Sequence, residues 1–280
     1  MNRGKLIYTV KTGITHLLLI VIGFFWVYPF LWMFSASFKT QEEFFRDKLS
    51  LIPGSFQFDN IIRIWTKANF NVYFVNTLVV TAGTTLLVLI MTSMSGYVLG
   101  RYQFFGKQAL MAIFMASISI PLVSTIIPVY EVIKSMGLVG TKLGLILSGA
   151  GGAHVVFLLL FAGYYRQIPN ELEEAAKIDG CGFFQTYFRV MMPLATPIAS
   201  TVIIMESIWT WNAFMLPLVL TLNNPSSRTL AVGLYAFRGE NTVDWTGIAA
   251  GGSISVIPII ALFILLQRYF VDGVAGAVKS

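Results

Sequence analysis

Charged residues are scarce in this sequence. Its 280 residues include 19 Lys and Arg and 13 Asp and Glu, which is 11% of the chain. A soluble domain has roughly 25% charged residues. Hydrophobic residues make up 56% of the chain, and the mean hydropathy is +0.75. A soluble fold cannot bury so much apolar surface, so we predict that lipid surrounds most of this chain.

Cysteine and histidine are nearly absent as well. Cys181 is the single cysteine, so no internal disulfide can form, and His16 and His154 each stand alone in an apolar run. No group of residues has the spacing of metal ligands or of a Ser-His-Asp triad. We therefore predict no metal site and no catalytic residue in this chain. The two histidines are expected to serve helix packing or to line a cavity.

A phosphate-binding loop is also missing from the sequence. Such a loop needs Gly, four residues, and then Gly-Lys-Ser or Gly-Lys-Thr. The nearest stretch, GRYQFFGKQ at 100–108, has five intervening residues and no hydroxyl after Lys107. We therefore expect no bound cofactor on this chain, and any energy for its work must come from a partner.

Long uncharged runs dominate what remains. A transmembrane helix needs about 20 apolar residues, and five runs of 23 to 33 uncharged residues meet that requirement. A sixth run is interrupted only by Glu206. Lipid offers no hydrogen bonds to the backbone, so helices are expected. We predict an all-α membrane protein that forms one domain over residues 1–280. Its six transmembrane helices are expected at about 14–34, 76–100, 108–130, 143–165, 195–219 and 246–269.

Both ends of the chain are predicted to lie in the cytoplasm. The short N-terminal tail contains Arg3, Lys5 and Lys11 and no acid, which favours an inside N-terminus. Six spans then return the C-terminus to the same side. The net charge of +6 needs no nucleic acid, because basic residues beside the spans meet the anionic headgroups of membrane lipid.

With this orientation, residues 166–194 form a cytoplasmic loop that is unusually charged. Its stretch ELEEAAKIDG, at 171–180, holds four acids and one base. Asn170 is the expected N-cap of a short helix that stops at Gly180. A second short helix, FFQTYFRV, is expected to end before Pro193. Helices that lie on lipid favour Lys and Arg, so an acidic helix followed by exposed aromatic residues predicts a protein partner.

The spacing within this loop resembles the EAA loop of permease subunits from bacterial binding-protein-dependent ABC (ATP-binding cassette) importers. That pattern is Glu-Ala-Ala, three residues, Gly, nine residues, Ile, one residue and Leu-Pro. Asp179 before Gly180 resembles the Asp-Gly of the carbohydrate-uptake branch. Glu174, Ala175, Ala176, Gly180 and Pro193 match this pattern, while Val190 replaces its Ile and Met192 replaces its Leu.

The resemblance to that branch continues along the chain. SFKT follows the first span, NTLVV lies at 76–80 and GYVLGRY at 96–102. WNAFMLPLVL at 211–220 and QRYFVDGVAGAVKS at 267–280 resemble further stretches of it. The whole pattern is similar to the second permease of maltose-type importers, except that Ala213 stands where an acid or a polar residue is expected after Asn.

The resemblance implies one half of a heterodimeric pore that takes up a sugar or oligosaccharide across the bacterial cytoplasmic membrane. It implies a second permease, a cytoplasmic ATPase dimer that binds ATP and Mg²⁺, and an extracytoplasmic sugar-binding protein. The loop would be a coupling helix in a groove of the ATPase, with Glu174 against a basic residue there. The residues expected to couple are Glu174, Ala175, Ala176, Asp179, Gly180, Phe184 and Pro193.

Polar residues within the spans are candidates for the substrate path, because burying them in lipid is costly. Glu206 is the one acid well inside a predicted span, and Trp209, Trp211 and Asn212 follow it. An acid, an amide and an indole suit a sugar, whose hydroxyls form hydrogen bonds while its apolar face stacks on a ring. A contact with a neighbouring helix or with the partner permease is the alternative.

Two serines in the third span are further candidates for the path. Ser117 and Ser119 lie close to Pro121, which we expect to break the third helix because proline removes a backbone donor.

Two other functions stay open. An importer of another solute, such as a glycerol phosphate, would need Arg or Lys in the path, and no span interior contains one. A secondary transporter would need ion-coupling acids at the middle of the membrane, and only Glu206 fits that requirement.

Overall fold

The computed structural model describes residues 3–67, 69–152, 154–235, 237 and 243–278. Side chains are not described for residues 3–10, for residue 67 or beyond residue 267. Most of the basic N-terminal tail and nearly all of the predicted C-terminal signature at 267–280 therefore lie outside the described side chains. Throughout the described chain, the long regular elements are helical.

The first half of the chain contains seven of the described α-helices. They are α1 (Arg3–Ala36), α2 (Gln41–Arg46), α3 (Asp59–Lys67), α4 (Phe70–Arg101), α5 (Lys107–Ser117), α6 (Ile126–Ser135) and α7 (Lys142–Ala150). A short 3₁₀ turn at Leu122–Thr125 precedes α6.

The second half contains the helices around the predicted cytoplasmic loop. They are α8 (Val155–Gln167), α9 (Asn170–Ile178), α10 (Phe183–Thr186), α11 (Met192–Leu194), α12 (Thr196–Asn212), α13 (Met215–Leu220), α14 (Leu230–Tyr235) and α15 (Trp245–Val278). A π-helical turn at Tyr187–Met191 joins α10 to α11, and a 3₁₀ turn lies at Pro225–Ser227.

Three helices are long and apolar enough to cross a membrane without a break. They are Lys11–Ala36 within α1, the whole of α4, and Trp245–Gln267 within α15, with 26, 32 and 23 residues. At about 1.5 Å per residue each exceeds the roughly 30 Å thickness of the hydrocarbon core. These segments contain the predicted spans at 14–34 and 76–100 and most of the span at 246–269.

The other three predicted spans are not continuous helices. The structure replaces each by a bent pair: Lys107–Ser117 with Leu122–Ser135 at 102°, Lys142–Ala150 with Val155–Gln167 at 57°, and Phe183–Leu194 with Thr196–Asn212 at 78°. By length and composition, the described chain therefore has three candidate spans, or up to six if each bent pair crosses the membrane once.

Two of the three breaks coincide with a local feature of the backbone. Pro121 is extended, with φ −62° and ψ 127°, which confirms that it breaks the third predicted helix. His154 has a positive φ of 38° just before α8 begins. The fifth predicted helix was expected to run to 219, but α12 ends at Asn212. Pro217 has no N–H to donate to the carbonyl of Ala213, so the backbone bond that would continue the helix from this carbonyl is missing.

The chain divides into two compact units, and its organisation as a single membrane domain stays a prediction. The first unit comprises Met1–Asn71 with Leu234–Val256. Within it, the buried ammonium of Lys39 donates to the carbonyls of Asp47 and Ser50, at 3.1 and 2.7 Å. These bonds hold together the segment that follows α1.

The second unit comprises Val72–Gly233 with Ile257–Ser280, and its core lies among α4, α8 and α12. Two glycines one helical turn apart let α4 approach α8 closely. A Cβ on Gly96 would lie 2.4 Å from the Phe161 Cβ, and a Cβ on Gly100 would lie 2.8 Å from the Ala162 carbonyl oxygen. Small residues at this spacing allow membrane helices to pack backbone to backbone. This packing places the end of α4 beside the end of α8.

Candidate functional site

The short helix predicted from the acidic stretch at 171–180 is present as α9, and a Schellman motif ends it. The Cys181 N–H donates to the Ala176 carbonyl at 2.9 Å, and the Gly180 N–H donates to the Lys177 carbonyl at 3.0 Å. Gly180 has a φ of +80°, a conformation that glycine adopts without steric cost. The expected N-cap was wrong by one residue: α9 already begins at Asn170, and the extended Pro169 precedes it without a side-chain cap bond.

Replacing Gly180 by alanine tests this helix end. A Cβ there meets nothing within 4 Å, so the cost comes from the left-handed backbone, at about 1–2 kcal/mol. We expect the thermal midpoint of the purified chain to fall by roughly 2–4 °C per kcal/mol. Gly182→Ala is the matched control, because Gly182 also has open space around it but a φ of −74°. Equal midpoints for the two variants would contradict the structure.

The second short helix of the loop does not end before Pro193, as the sequence suggested. The predicted second helix continues through the π-helical turn at Tyr187–Met191 into α11, so Pro193 lies within α11 instead of beyond the helix. The chain then bends at Ala195, before α12.

The residues predicted to couple divide between two faces of this loop. Most of them are exposed, and Ala176 is buried. Apolar side chains accompany the exposed ones, with Ile178 87% and Phe184 61% exposed. The exposed predicted residues are Glu174, Ala175, Asp179, Gly180, Phe184 and Pro193.

A buried acid that was not predicted lies beside Glu174. The carboxylate of Glu173 accepts a hydrogen bond from the Arg101 Nε at 2.9 Å and another from the Tyr102 hydroxyl at 2.9 Å. Lys177 lies 3.3 Å from the same carboxylate. The side chains of Arg101 and Glu173 are each only 7% exposed. A buried pair of this kind is stable only because its charges are satisfied together.

Arg101 and its neighbours determine the ionisation of Glu173. Burial alone would raise the pKa of this carboxyl, but the hydrogen bonds from Arg101, Tyr102 and Lys177 outweigh burial and hold the pKa below its ordinary value. Glu173 is therefore ionised at neutral pH. The stabilisation that follows from ionisation is complete above the ordinary pKa and is lost as the pH falls through the lowered one.

Glu206, the predicted acid of the substrate path, is buried and has specific partners. It is 2% exposed. The Thr210 hydroxyl donates to its Oε1 at 2.8 Å, and His154 Nδ1 lies 3.4 Å from its Oε2. His154 Nε2 is 3.0 Å from the Gly149 carbonyl oxygen, which can only accept, so this nitrogen carries a proton. His154, which was expected to serve helix packing or to line a cavity, is thus the specific partner of Glu206.

The residues that follow Glu206 do not form one cluster with it. Trp209 is 51% exposed and stacks on Phe157, with ring centroids 5.0 Å apart. Asn212 is exposed, and its amide donates to the Ile208 carbonyl of its own helix at 2.8 Å. Glu206 therefore lies behind an exposed surface that includes Trp209 and Asn212.

Trp211 lies on another side of α12. Its ring meets Phe74 edge to face at 6.0 Å. It also lines a largely apolar cavity of about 350 Å³ that α4, α12 and α15 enclose, together with Thr81, Thr85 and Ser207. The structure thus separates Trp211 from the surface that Trp209 and Asn212 share.

The two predicted serines lie at the end of α5 and in the sharp bend that follows it. Ser117 donates to the Phe114 carbonyl at 2.7 Å, and Ser119 is exposed in the turn that follows. Among the described contacts, no hydrogen bond joins either serine to Glu206. A shared site for the serines and the acid stays a prediction.

Sequence reasoning missed Arg101, Glu173 and the partnership of His154. The available signal for Arg101 was its position as the first charge after 33 uncharged residues, where a span must end. Glu173 and Glu174 are adjacent in the sequence, and residues next to each other on a helix point about 100° apart. That separation predicts different surroundings for the two acids but does not predict which of them is buried.

Residues 92–276 match the family described as "Binding-protein-dependent transport system inner membrane component". The match covers more than half of the chain. The chain belongs to this family. A Bacillus subtilis member of similar sequence is named probable ABC transporter permease protein YurM. It is 36% identical over 254 residues, which are 90% of this chain and 84% of that protein.

Another relative of this ABC permease is the Streptomyces coelicolor diacetylchitobiose uptake system permease protein NgcG. It is 30% identical over 269 residues, which are 96% of this chain and 87% of that protein. Further relatives are named for the transport of oligosaccharides. A solved bacterial ABC transporter involved in the import of the acidic polysaccharide alginate has a chain with the same fold. The TM-score is 0.78 at 22% identity, over 96% of this chain and 99% of that one.

Proposed function

We propose that this permease is one half of the membrane pore of an ATP-driven importer for a sugar or oligosaccharide. The observation that carries the proposal is the acidic and apolar surface of α9 and α10 in a chain of this family. Glu174, Ile178 and Phe184 are exposed there, at the loop whose spacing resembles the EAA motif. A surface of this chemistry suits a protein groove better than water or lipid.

The partners follow from the role of a permease. A second permease completes the pore, a cytoplasmic ATPase dimer binds ATP and Mg²⁺, and an extracytoplasmic binding protein delivers the sugar. This chain hydrolyses no ATP itself, since its sequence lacks the phosphate-binding loop. Both termini and the loop 166–194 lie on the cytoplasmic side, where the ATPase dimer meets Glu174, Asp179 and Phe184.

The substrate path includes the surface of α12 that carries Trp209 and Asn212. The exposed indole of Trp209 offers a flat apolar face for a sugar ring, and the pair of Glu206 and His154 lies behind it. The span interiors lack Arg and Lys, which favours a neutral substrate over a glycerol phosphate. The uptake of diacetylchitobiose by a similar permease supports a sugar.

Uptake by the purified importer in proteoliposomes tests the path. We expect Trp209→Ala to lower the uptake of the transported sugar by roughly 2- to 10-fold, which corresponds to the loss of one stacking contact. Trp209→Phe keeps a ring against Phe157 and should retain most of the activity. Candidate sugars, beginning with diacetylchitobiose, are first screened by their stimulation of ATP hydrolysis with the binding protein present.

Trp26→Ala is the matched control, because Trp26 is an exposed tryptophan of α1 outside the proposed path. The amount of ATPase that co-purifies with each variant reports assembly. Equal losses of uptake for Trp209→Ala and Trp26→Ala would contradict the proposal that Trp209 lines the substrate path.

A further inference from the structure

The short helix α9 has weak connections at both of its ends. Only Ile168 and Pro169 join it to α8, and both are extended. On the other side, residues 179–182, which include Gly180 and Gly182, join it to α10. Two extended residues and two glycines give a nine-residue helix little resistance to pivoting. A load applied to the exposed face of α9 would move this helix alone unless side chains hold it.

Arg101 provides three of the described contacts that oppose such a pivot, and the Tyr102 hydroxyl, which donates to Glu173 at 2.9 Å, provides another. The Arg101 Nε donates to Glu173 in α9 at 2.9 Å, while its Nη1 donates to the carbonyls of Ile168 and Tyr165 at 2.7 and 3.3 Å. One guanidinium at the end of α4 thus binds the last turn of α8 and the first turns of α9 together. The planar fork of arginine permits these simultaneous bonds in a way that the single ammonium of lysine does not.

A ring cluster holds the following arm of the loop to the same helix. Phe183 of α10 packs on Tyr97 and Tyr102, with centroids 5.4 and 5.7 Å apart. The Tyr187 hydroxyl lies 2.6 Å from the Ser93 Oγ. The end of α4 therefore contacts the loop on both sides of the glycine turn, through charge at α9 and through rings at α10.

We propose that Arg101 and Glu173 form a clasp that makes α9 move as one body with the cytoplasmic ends of α4 and α8. The inference rests on the proposed docking of α9 on an ATPase, and it assigns different roles to the adjacent acids Glu173 and Glu174. Glu174 faces the ATPase, and Glu173 passes the displacement of α9 to α4. Arg101 and Glu173 are positioning residues, since neither touches sugar or nucleotide.

Distances between spin labels test the clasp. One label is attached to the native Cys181 and the second to Phe105→Cys, in the exposed turn after α4. The chain is measured in lipid nanodiscs and in the complete importer, without nucleotide and trapped with ATP and vanadate. The clasp predicts one narrow distance, unchanged between the trapped and nucleotide-free importer.

Glu173→Ala and Arg101→Lys are then compared with Glu171→Ala, which removes an exposed acid from the same helix. Loss of one partner from a buried pair leaves the other charge unpaired. It should therefore increase the fraction of molecules in which α9 is detached from α4 by more than about 100-fold. We therefore expect broad distances for the first two variants and a narrow one for Glu171→Ala. Sugar transported per ATP should fall roughly 3- to 30-fold, the range for residues along a coupling path.

Three results of the distance measurements overturn the clasp. The first is a broad distance distribution in nanodiscs for the labelled chain that keeps Arg101 and Glu173. The second is a distance that differs between the two nucleotide states, and the third is a narrow distribution in Glu173→Ala. A purely structural role would lower the yield of importer but leave its transport per ATP unchanged, and it would also overturn the inference. The nanodisc measurement needs no ATPase, so failure of the docking proposal, seen as an absent ATPase, is distinguished from failure of the clasp.

Discussion

Replacing Glu174 by lysine is expected to lower sugar uptake roughly 30-fold or more, because truncating or reversing one partner of a buried interfacial charge pair costs several kcal/mol. Glu174 is exposed in this chain and belongs to the EAA pattern, next to the buried Glu173. Its loss therefore removes nothing from the clasp or the core. The variant should insert and fold normally, and its ATP hydrolysis should no longer respond to the sugar-loaded binding protein.

Three measurements on the Glu174→Lys membranes separate the causes. The amount of folded chain shows insertion, co-purified ATPase shows docking, and uptake per ATP shows coupling. Glu131→Lys is the matched control, since Glu131 is an exposed acid at the other predicted side of the membrane, paired with Lys134 at 3.6 Å. Normal uptake by Glu174→Lys would contradict the docking of α9.

Gly96→Val is expected to abolish most of the folded permease. Its Cβ would lie 2.4 Å from the Phe161 Cβ and 3.1 Å from the Leu158 carbonyl oxygen. The neighbours include the backbone of α8, which cannot rotate away as a side chain can. Overpacking of this kind costs about 3 kcal/mol or more, a large share of the stability of a typical domain. Separation of α4 from α8 would also move Arg101 away from Ile168.

The folded fraction is measured by size-exclusion chromatography of a fluorescent fusion in mild detergent. Gly163→Val is the matched control on α8, because a Cβ on Gly163 meets nothing within 4 Å. We expect a monodisperse peak for Gly163→Val and an aggregate for Gly96→Val. Similar peaks for both variants would show that α4 and α8 do not pack through Gly96.

The sequence was sufficient for the features that depend on composition and local spacing. Uncharged runs located α1, α4 and α15, because the need to satisfy the backbone in lipid leaves a helix as the solution. The loop was found from a pattern of glycine and charge that acts within a few residues. Gly180 in particular reports a local backbone conformation, and the structure gives it the positive φ of a helix end.

Features that depend on distant residues were not predictable in the same way. Nothing local connects Arg101 to Glu173, which are 72 positions apart, or His154 to Glu206. The bend angles are also set by packing, so the uncharged run at 143–165 looked like a straight helix. Hydropathy records how much apolar surface a segment carries, and it does not record where the segment bends.

A permease whose α9 docks on a separate ATPase should leave the membrane together with that ATPase. We would test this by a pull-down of the tagged chain from its native membrane in gentle detergent, with mass spectrometric identification of the proteins that accompany it. We expect an ATPase and a second multi-span permease, and we expect the Glu174→Lys variant to bring down less of that ATPase but as much of the second permease. A chain that emerges by itself or only with its own copies, without a nucleotide-binding protein, would contradict the proposed function.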